Sequence, residues 1–445
     1  MNQKTIIIFS EVLTLAHFMR PLTLALELQK NSNYKIIFAV SDIPHGLEHL
    51  ISNLNVVYLK KSITTEQFLQ AVSNGTHPFT VEILEEKIKE DLELIKKCNP
   101  DLLIGDMRLS LHVSSQILKK CYINLSNSQW DSSTSYKNIV PDLPITRILG
   151  TSIGSLLIKL MHKKIMMKLA LPFNIIAKKY NVKEYGSYNE VISSGDYVFY
   201  FDPKNLNLTH KYNNDFSDFN NYKKIEVGAF DYSLKSIGNS NAPFKINNEK
   251  NYSKVILISL GSSGPNHLLP KIISSVSQLK NVHIILVTAG AKVNLKKINT
   301  DLSNVTIQVE KYVPYNEVLQ KVDLVISNGG SSTTYPALLN GVPVLSIPMN
   351  YDQHLFTNSI SHWNVGISIR SDSFSKKNFI NSINLLIENS NSKSKVHQVK
   401  QLYLSENPVE TISYFVKQFF KTSLLSNYNF AKPNLMISDD LQIQK

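Results

Sequence analysis

A chain of 445 residues, 43% of them hydrophobic, is long enough for two or three domains that each bury a core. Its two cysteines, Cys98 and Cys121, form no CxxC pair and no Cys/His cluster, which argues against a disulfide framework or a structural zinc site and leaves both as expected buried thiols. The excess of 47 basic over 35 acidic residues, formally +12, favours anionic partners, yet the lysines are spread and no helix-turn-helix, zinc-finger or RNP-like segment turns them into nucleic-acid recognition.

The amino terminus passes from MNQKT straight into the strand-like IIIFS without a signal-peptide pattern, and no run approaches the ~18 apolar residues that would span a bilayer. Cytoplasmic residence is the expectation. β-like runs then alternate with helix-length segments: TIIIF, RPLTLALELQK, YKIIFAV, NVVYL, VEILEEKIKEDLELIKK, DLLIGD and CYINLS. Such alternation predicts a mostly parallel sheet with covering helices. From Ile153 to Ile176, Ile158, Met161, Ile165 and Leu169 recur at spacings of three and four with Lys159, Lys163, Lys164 and Lys168 on the other side, a basic amphipathic helix up to Pro172. It either packs its apolar stripe on the first domain or rests on an anionic membrane surface near a lipid-like acceptor.

Leu234 to Ser253 is rich in Asn, Ser and Gly and reads as a linker. A second series follows: KVILISLG, HIILVTAG, VTIQVEKY, the short helix NEVLQKV and DLVIS. The predicted organisation is a first domain over 1–235, a linker over 236–252, a second domain over 253–405, a helix over 406–421 and a mobile tail over 422–445.

Candidate functional residues fall at strand ends, where open α/β sheets bind ligands. His17 lies at the turn after the first strand, with Arg20-Pro21 opening a helix behind it. Histidine suits proton abstraction because its unperturbed pKa is near ~6.5. Asp106 ends the DLLIGD run, where it suits a cap of the next helix; Asp101 starts that run, at the far edge of the sheet. In the second domain, Gly261, Ser262, Ser263 and Gly264 form one small-residue turn, and Asn328, Gly329, Gly330, Ser331, Ser332 and Thr333 form another at a helix start. Both let backbone approach a diphosphate closely. Ser332 and Thr333 also suit helix capping. The helix stops at Asn340-Gly341, Val342 to Ile347 reads as the next strand, and the loop after it carries Asp352 and Gln353.

These segments resemble the family-1 glycosyltransferases. LTLAHFMRPLTLALEL is similar to the family's GH-x-x-P segment, with Ala16 for the glycine and Arg20 at the usual proline position. SNGGSSTTYPALLNGVPVLSIPMNYDQHLFTN is similar to the donor signature, with Asn328 where a pyrophosphate-contacting histidine is usual and Pro336 where a ribose-binding glutamate is common. The resemblance implies the GT-B fold, two Rossmann-like doubly wound domains facing across a cleft, with the final helix over 406–421 crossing back to the first domain. It also implies an inverting, metal-independent transfer of a hexose from a nucleoside-diphosphate sugar, UDP-sugar favoured, to a hydroxyl of a small or lipid-like acceptor, with no cofactor beyond the donor. His17 would then be the base and Asp106 its orienter. Val313, beside Pro314, would meet the nucleobase, and Asp352 and Gln353 the sugar hydroxyls. A sugar-nucleotide epimerase on the same fold and a catalytically silent nucleotide-sugar or lipid-binding protein are the alternatives, the latter kept alive by Asn328 and Pro336.

Overall fold

The computed structural model describes residues 3–131, 140–203, 223–231, 244–247, 252–261, 263–288, 305–388 and 390–421. Most of the expected linker over 236–252, the whole tail over 422–445 and Ser262 lie outside these described residues.

The first sheet has seven strands in the order β3-β2-β1-β4-β5-β6-β7: β1 Lys4–Ser10, β2 Tyr34–Val40, β3 Asn55–Tyr58, β4 Leu102–Asp106, β5 Tyr122–Ser126, β6 Tyr197–Tyr200 and β7 Lys224–Glu226. The second has six in the order β10-β9-β8-β11-β12-β13: β8 Lys254–Ser259, β9 Val282–Val287, β10 Val305–Glu310, β11 Leu324–Ser327, β12 Val344–Ser346 and β13 Gly366–Ser368. Neighbouring strands pair in parallel in both. The central strands read as unbroken Ile, Leu and Val runs because helices cover both faces, and Ile6, Ile7, Ile8, Ile256, Leu257 and Ile258 are fully buried. This is the expected pair of doubly wound sheets.

In each sheet the strand order reverses once, between β1 and β4 and between β8 and β11. Such reversal points are where open α/β sheets form ligand-binding crevices. His17 and Asp106 follow β1 and end β4, while the glycine-rich turns follow β8 and β11. The carboxy-terminal helix Pro408–Lys421 packs on the helix Leu15–Leu28 of the first domain. Its Phe415 ring meets Tyr197 and Phe199 with centroids 4.9 Å apart in each case, and Phe420 meets Tyr34 at 5.6 Å.

Three local expectations are corrected. The helix after β1 begins at Leu15, not at Arg20, so His17 is in its first turn and Pro21 is inside it. The long helix runs from Pro144 to Lys179, through Pro172, with a kink at Gly150 where φ is 75°. Its inward row is Ile158, Met166, Ala170, Phe173 and Ala177, whereas Met161 of the expected stripe is exposed. Finally, Asp352 and Gln353 are not in a loop but in the first turn of the helix Tyr351–His362, whose Gln353 N–H is capped by Asn350 Oδ1 at 3.0 Å.

The ends of β1 and β4 are held to the helix Val81–Cys98 by a buried ionic cluster. Arg108 donates to Glu11 at 2.8 Å, to Asp91 at 2.9 Å and to the partly exposed Glu90 at 2.6 Å, and Lys87 donates to Glu11 at 2.7 Å. Burial would raise the Glu11 carboxyl, but Arg108 and Lys87 hold it below the usual carboxylate range. Burial instead prevails at Asp91, which is pushed up. Removing one partner of such a cluster strands the others, at a cost of roughly 3–5 kcal/mol. Arg108→Met is therefore expected to lower stability by about that amount in urea unfolding, whereas Lys60→Met, which breaks the exposed pair with Glu86, leaves the midpoint in place.

Candidate active site

Ser10 and Asp106 are register partners at the ends of β1 and β4, so the chain after β1 turns directly over Asp106. Pro21 has no N–H to bond to the carbonyl of His17, one turn back. That carbonyl accepts the Ser10 hydroxyl at 2.7 Å instead, which ties the backbone of His17 to the strand below it. The His17 side chain then reaches Asp106, with Nδ1 2.8 Å from Oδ1. Arg20 Nη2, which can only donate, also lies 3.2 Å from Nδ1, but the Asp106 oxygen is nearer and can only accept, so the Nδ1–H tautomer fits the shorter contact and leaves Nε2 as the nitrogen able to take a proton.

Asp106 and Arg20 are almost wholly buried, while the His17 side chain keeps 17% of its surface exposed. Arg20 grips Asp106 bidentately, Nε to Oδ2 at 2.8 Å and Nη2 to Oδ1 at 2.9 Å, and its remaining amino group donates to Asn127 Oδ1 at 2.8 Å. The guanidinium also lies 5.5 Å from the Phe201 ring centroid. Two parallel bonds from a planar fork fix both carboxylate oxygens, something a lysine point charge does not do. The arrangement is therefore a His–Asp–Arg unit with its polar end in the crevice.

On the second sheet, Gly261 has φ of 64° and Gly329 of 79°. A Cβ at Gly329 would lie 2.2 Å from Thr357 Cγ2, so glycine is required by both conformation and space. The turn is built by its own side chains: Ser327 Oγ accepts from Gly329 N–H and Asn328 Oδ1 from Gly330 N–H, each at 3.0 Å. Asn328 Nδ2 donates across to Ser263 Oγ at 3.3 Å and joins the two glycine turns. Gly330 is the N-cap of the helix Ser331–Leu339, and a glycine has no side chain to take the first helical N–H groups. Those donors are the ones suited to an anion. Pro336 lies buried inside this helix.

Gln353 is buried; its amide donates to Ser263 and its oxygen accepts from Met349 N–H. Asp352 accepts from Trp130 Nε1 at 2.8 Å and Gln129 Nε2 at 3.2 Å, both on the first domain just after β5. Val313 is half-buried, and two residues on, the Tyr315 hydroxyl lies 3.1 Å from Ser259 Oγ and 3.4 Å from Thr333 Oγ1. The structure thus brings together His17 with Asp106, and both glycine turns with Gln353. Sequence reasoning missed Arg20 as the partner of Asp106, and Asn127, Asp202 and Trp130 altogether. An arginine one helical turn beyond a candidate base was the only signal for the first.

The two parallel, doubly wound sheets define a two-domain α/β protein of GT-B architecture. Residues 271–417 match the sequence family described as erythromycin biosynthesis protein CIII-like, C-terminal domain. Along 382 residues the chain is 27% identical to a PGL/p-HBAD biosynthesis glycosyltransferase of Mycobacterium tuberculosis, covering 83% of this chain and 82% of the relative. Two crystal structures share its fold at low identity: the glycosyltransferase of kitacinnamycin, with a TM-score of 0.66, 14% identity and coverage of 94% of this chain and 99% of that one, and spinosyn rhamnosyltransferase complexed with thymidine diphosphate, with 0.60, 14%, 93% and 100%. The chain is an enzyme of the glycosyltransferase class, similar to those that glycosylate natural products.

Gly329→Ala is expected to lower unfolding stability by about 1–3 kcal/mol, the usual cost of a strained positive φ plus a clash. Gly330→Ala, whose added Cβ would meet nothing nearer than 3.3 Å, should change it far less in the same denaturant titration.

Proposed function

We propose that the chain transfers a hexose from a nucleoside-diphosphate sugar to a hydroxyl of a small or lipid-like acceptor, in natural-product or glycolipid biosynthesis, with inversion and without a divalent metal. The observation that carries this reading is the 2.8 Å bond from His17 to a buried carboxylate that Arg20 holds by both oxygens, at the crevice where the first sheet reverses.

In this reading His17 Nε2 takes the acceptor's hydroxyl proton as the oxygen attacks the anomeric carbon from the side opposite the diphosphate. Asp106 holds the ring and stabilises its charged form, and the N–H groups after Gly330 receive the charge that builds on the leaving diphosphate. General-base catalysis contributes typically ~10²–10⁴-fold, the remainder coming from alignment and leaving-group stabilisation. Gly261, Ser262, Ser263, Asn328 and Ser331 to Thr333 would surround the diphosphate, Val313 the base, and Asp352 and Gln353 the sugar. No cofactor besides the donor is called for. The donor is a uridine or a thymidine diphosphate hexose, the second because the structurally similar spinosyn enzyme is complexed with thymidine diphosphate.

The test is nucleoside diphosphate release from a panel of uridine- and thymidine-diphosphate sugars, in chelator, with and without hydroxylated acceptors. Acceptor-dependent release that falls ~10²–10⁴-fold in His17→Ala is expected. Unchanged release in that variant removes the base, conversion without acceptor identifies an epimerase, and binding without turnover identifies a silent protein.

Peripheral membrane contact belongs to the same reading. The helix Pro144–Lys179 is apolar on two faces: opposite its buried row run Ile153, Leu156, Leu160, Met167, Leu171 and Ile175, all exposed, with Leu160 at 71%. Lys159, Lys163, Lys164 and Lys168 are exposed beside them. An apolar stripe between cations suits an anionic lipid surface. Co-sedimentation with vesicles containing phosphatidylglycerol, weakened by salt and lost in Leu156→Ser/Leu160→Ser, is the expected result; no binding to such vesicles overturns it.

A further inference from the structure

Arg20 does more than hold Asp106. Its third nitrogen, Nη1, donates to the Asn127 carboxamide oxygen, and the Asn127 amide nitrogen donates to Asp202 Oδ1 at 3.0 Å. An asparagine between a guanidinium, which can only donate, and a carboxylate, which can only accept, has one permitted orientation. Asp202 also accepts from the Ser128 N–H and from the hydroxyl of Tyr335. Arg20, Asn127, Asp202 and Tyr335 are all buried, Tyr335 completely. Tyr335 belongs to the second domain: it sits on the helix Ser331–Leu339, five residues after its glycine N-cap. A continuous chain of hydrogen bonds therefore runs from His17 through Asp106, Arg20, Asn127 and Asp202 to the helix whose start carries the anion-receptive N–H groups.

We propose that this chain couples donor seating to the alignment of the base, with Tyr335, Asp202 and Asn127 as positioning residues for His17. The proposal rests on the reading of His17 as base and of the Ser331–Leu339 helix as the diphosphate site. When a diphosphate engages the helix start, the helix is fixed in place, Tyr335 fixes Asp202, and the buried amide and guanidinium transmit that register to Asp106. The base is held at its productive angle only while the donor domain is in position, so the proton is not taken before the donor has arrived. Because the intervening groups are shut from water, no solvent molecule substitutes for a lost partner, and a break at any link loosens the fork on Asp106. Tyr335 touches neither substrate in this scheme.

The full chain is tested in two ways. First, kcat, donor KM and nucleoside diphosphate affinity are measured for the parent and Tyr335→Phe, which deletes only a hydroxyl. The expected result is a roughly 10–100-fold fall in acceptor-dependent kcat, as slight misplacement of a reacting group costs, with diphosphate affinity within about twofold. Equal losses in kcat and affinity, or no loss in either, overturn the proposal. Second, the His17 imidazole resonance, assigned by its disappearance in His17→Gln, is followed as uridine or thymidine diphosphate is added. It is expected to shift in the parent and stay fixed in Tyr335→Phe; a shift in both, or in neither, overturns the coupling. Asn127→Ser, which cuts the chain at its middle, carries both measurements should Tyr335→Phe fail to fold. A parent that shifts the resonance but transfers no sugar refutes the reaction and leaves the coupling standing.

Discussion

Everything at the candidate centre depends on one buried ion pair, Arg20 with Asp106. Desolvating a carboxylate is expensive, and only a partner of matching geometry offsets it. The guanidinium supplies two parallel bonds and so leaves Asp106 with both oxygens oriented, one of them shared with His17 Nδ1. The histidine ring is thereby held at Nδ1 while part of its side chain stays exposed. The same cation is tied through Asn127 to a second buried carboxylate, Asp202, so one arginine links two buried acids.

The topology explains why these side chains meet. Parallel strands point all their carboxy ends one way, so the residues that follow β1 and β4, or β8 and β11, lie at the same end of their sheet, next to the point where its strand order reverses. Asp106 and His17 are 89 residues apart in the chain yet hydrogen-bonded, because Ser10 and Asp106 are register neighbours. The second ionic cluster, around Arg108, then clamps the loops leaving the same two strands to a covering helix.

Much of this was legible in the sequence because the signals were local. Isoleucine and valine runs mark strands buried on both faces, and Asn340-Gly341 marks a helix stop, with Gly341 at φ 78°. The turn at Asn328 to Gly330 was visible as glycines before a helix. What was not legible depended on contacts across the sheet. Arg20 looks like a surface residue at a helix start, and nothing near it in sequence announces Asp106. Asp202 follows β6, whose four residues YVFY are too short and too aromatic to show a strand period. The long helix misled for the opposite reason: it carries apolar residues on two faces, so a single stripe read from its spacing mixed buried Ile158 with exposed Met161. Asn350, which caps the helix of Asp352 and Gln353, was a local signal that went unread.

Asn328 and Pro336, the two departures from the family pattern, acquire separate meanings from the geometry. Asn328 spends its oxygen on the Gly330 N–H and its nitrogen on Ser263, so it serves as the joint between the two glycine turns. A histidine side chain cannot offer the same acceptor and donor from one short amide. The side chain at this position thus braces the turn, and the N–H groups at the helix start are left to the backbone. Pro336 is different: it lies buried beside Tyr335, on the side of the helix that faces the protein interior, and a proline there removes an N–H while the neighbouring hydroxyl binds Asp202. One helix thus presents its start to the glycine turns and its flank to the first domain. Asn328 shapes the first of these surfaces and Tyr335 the second.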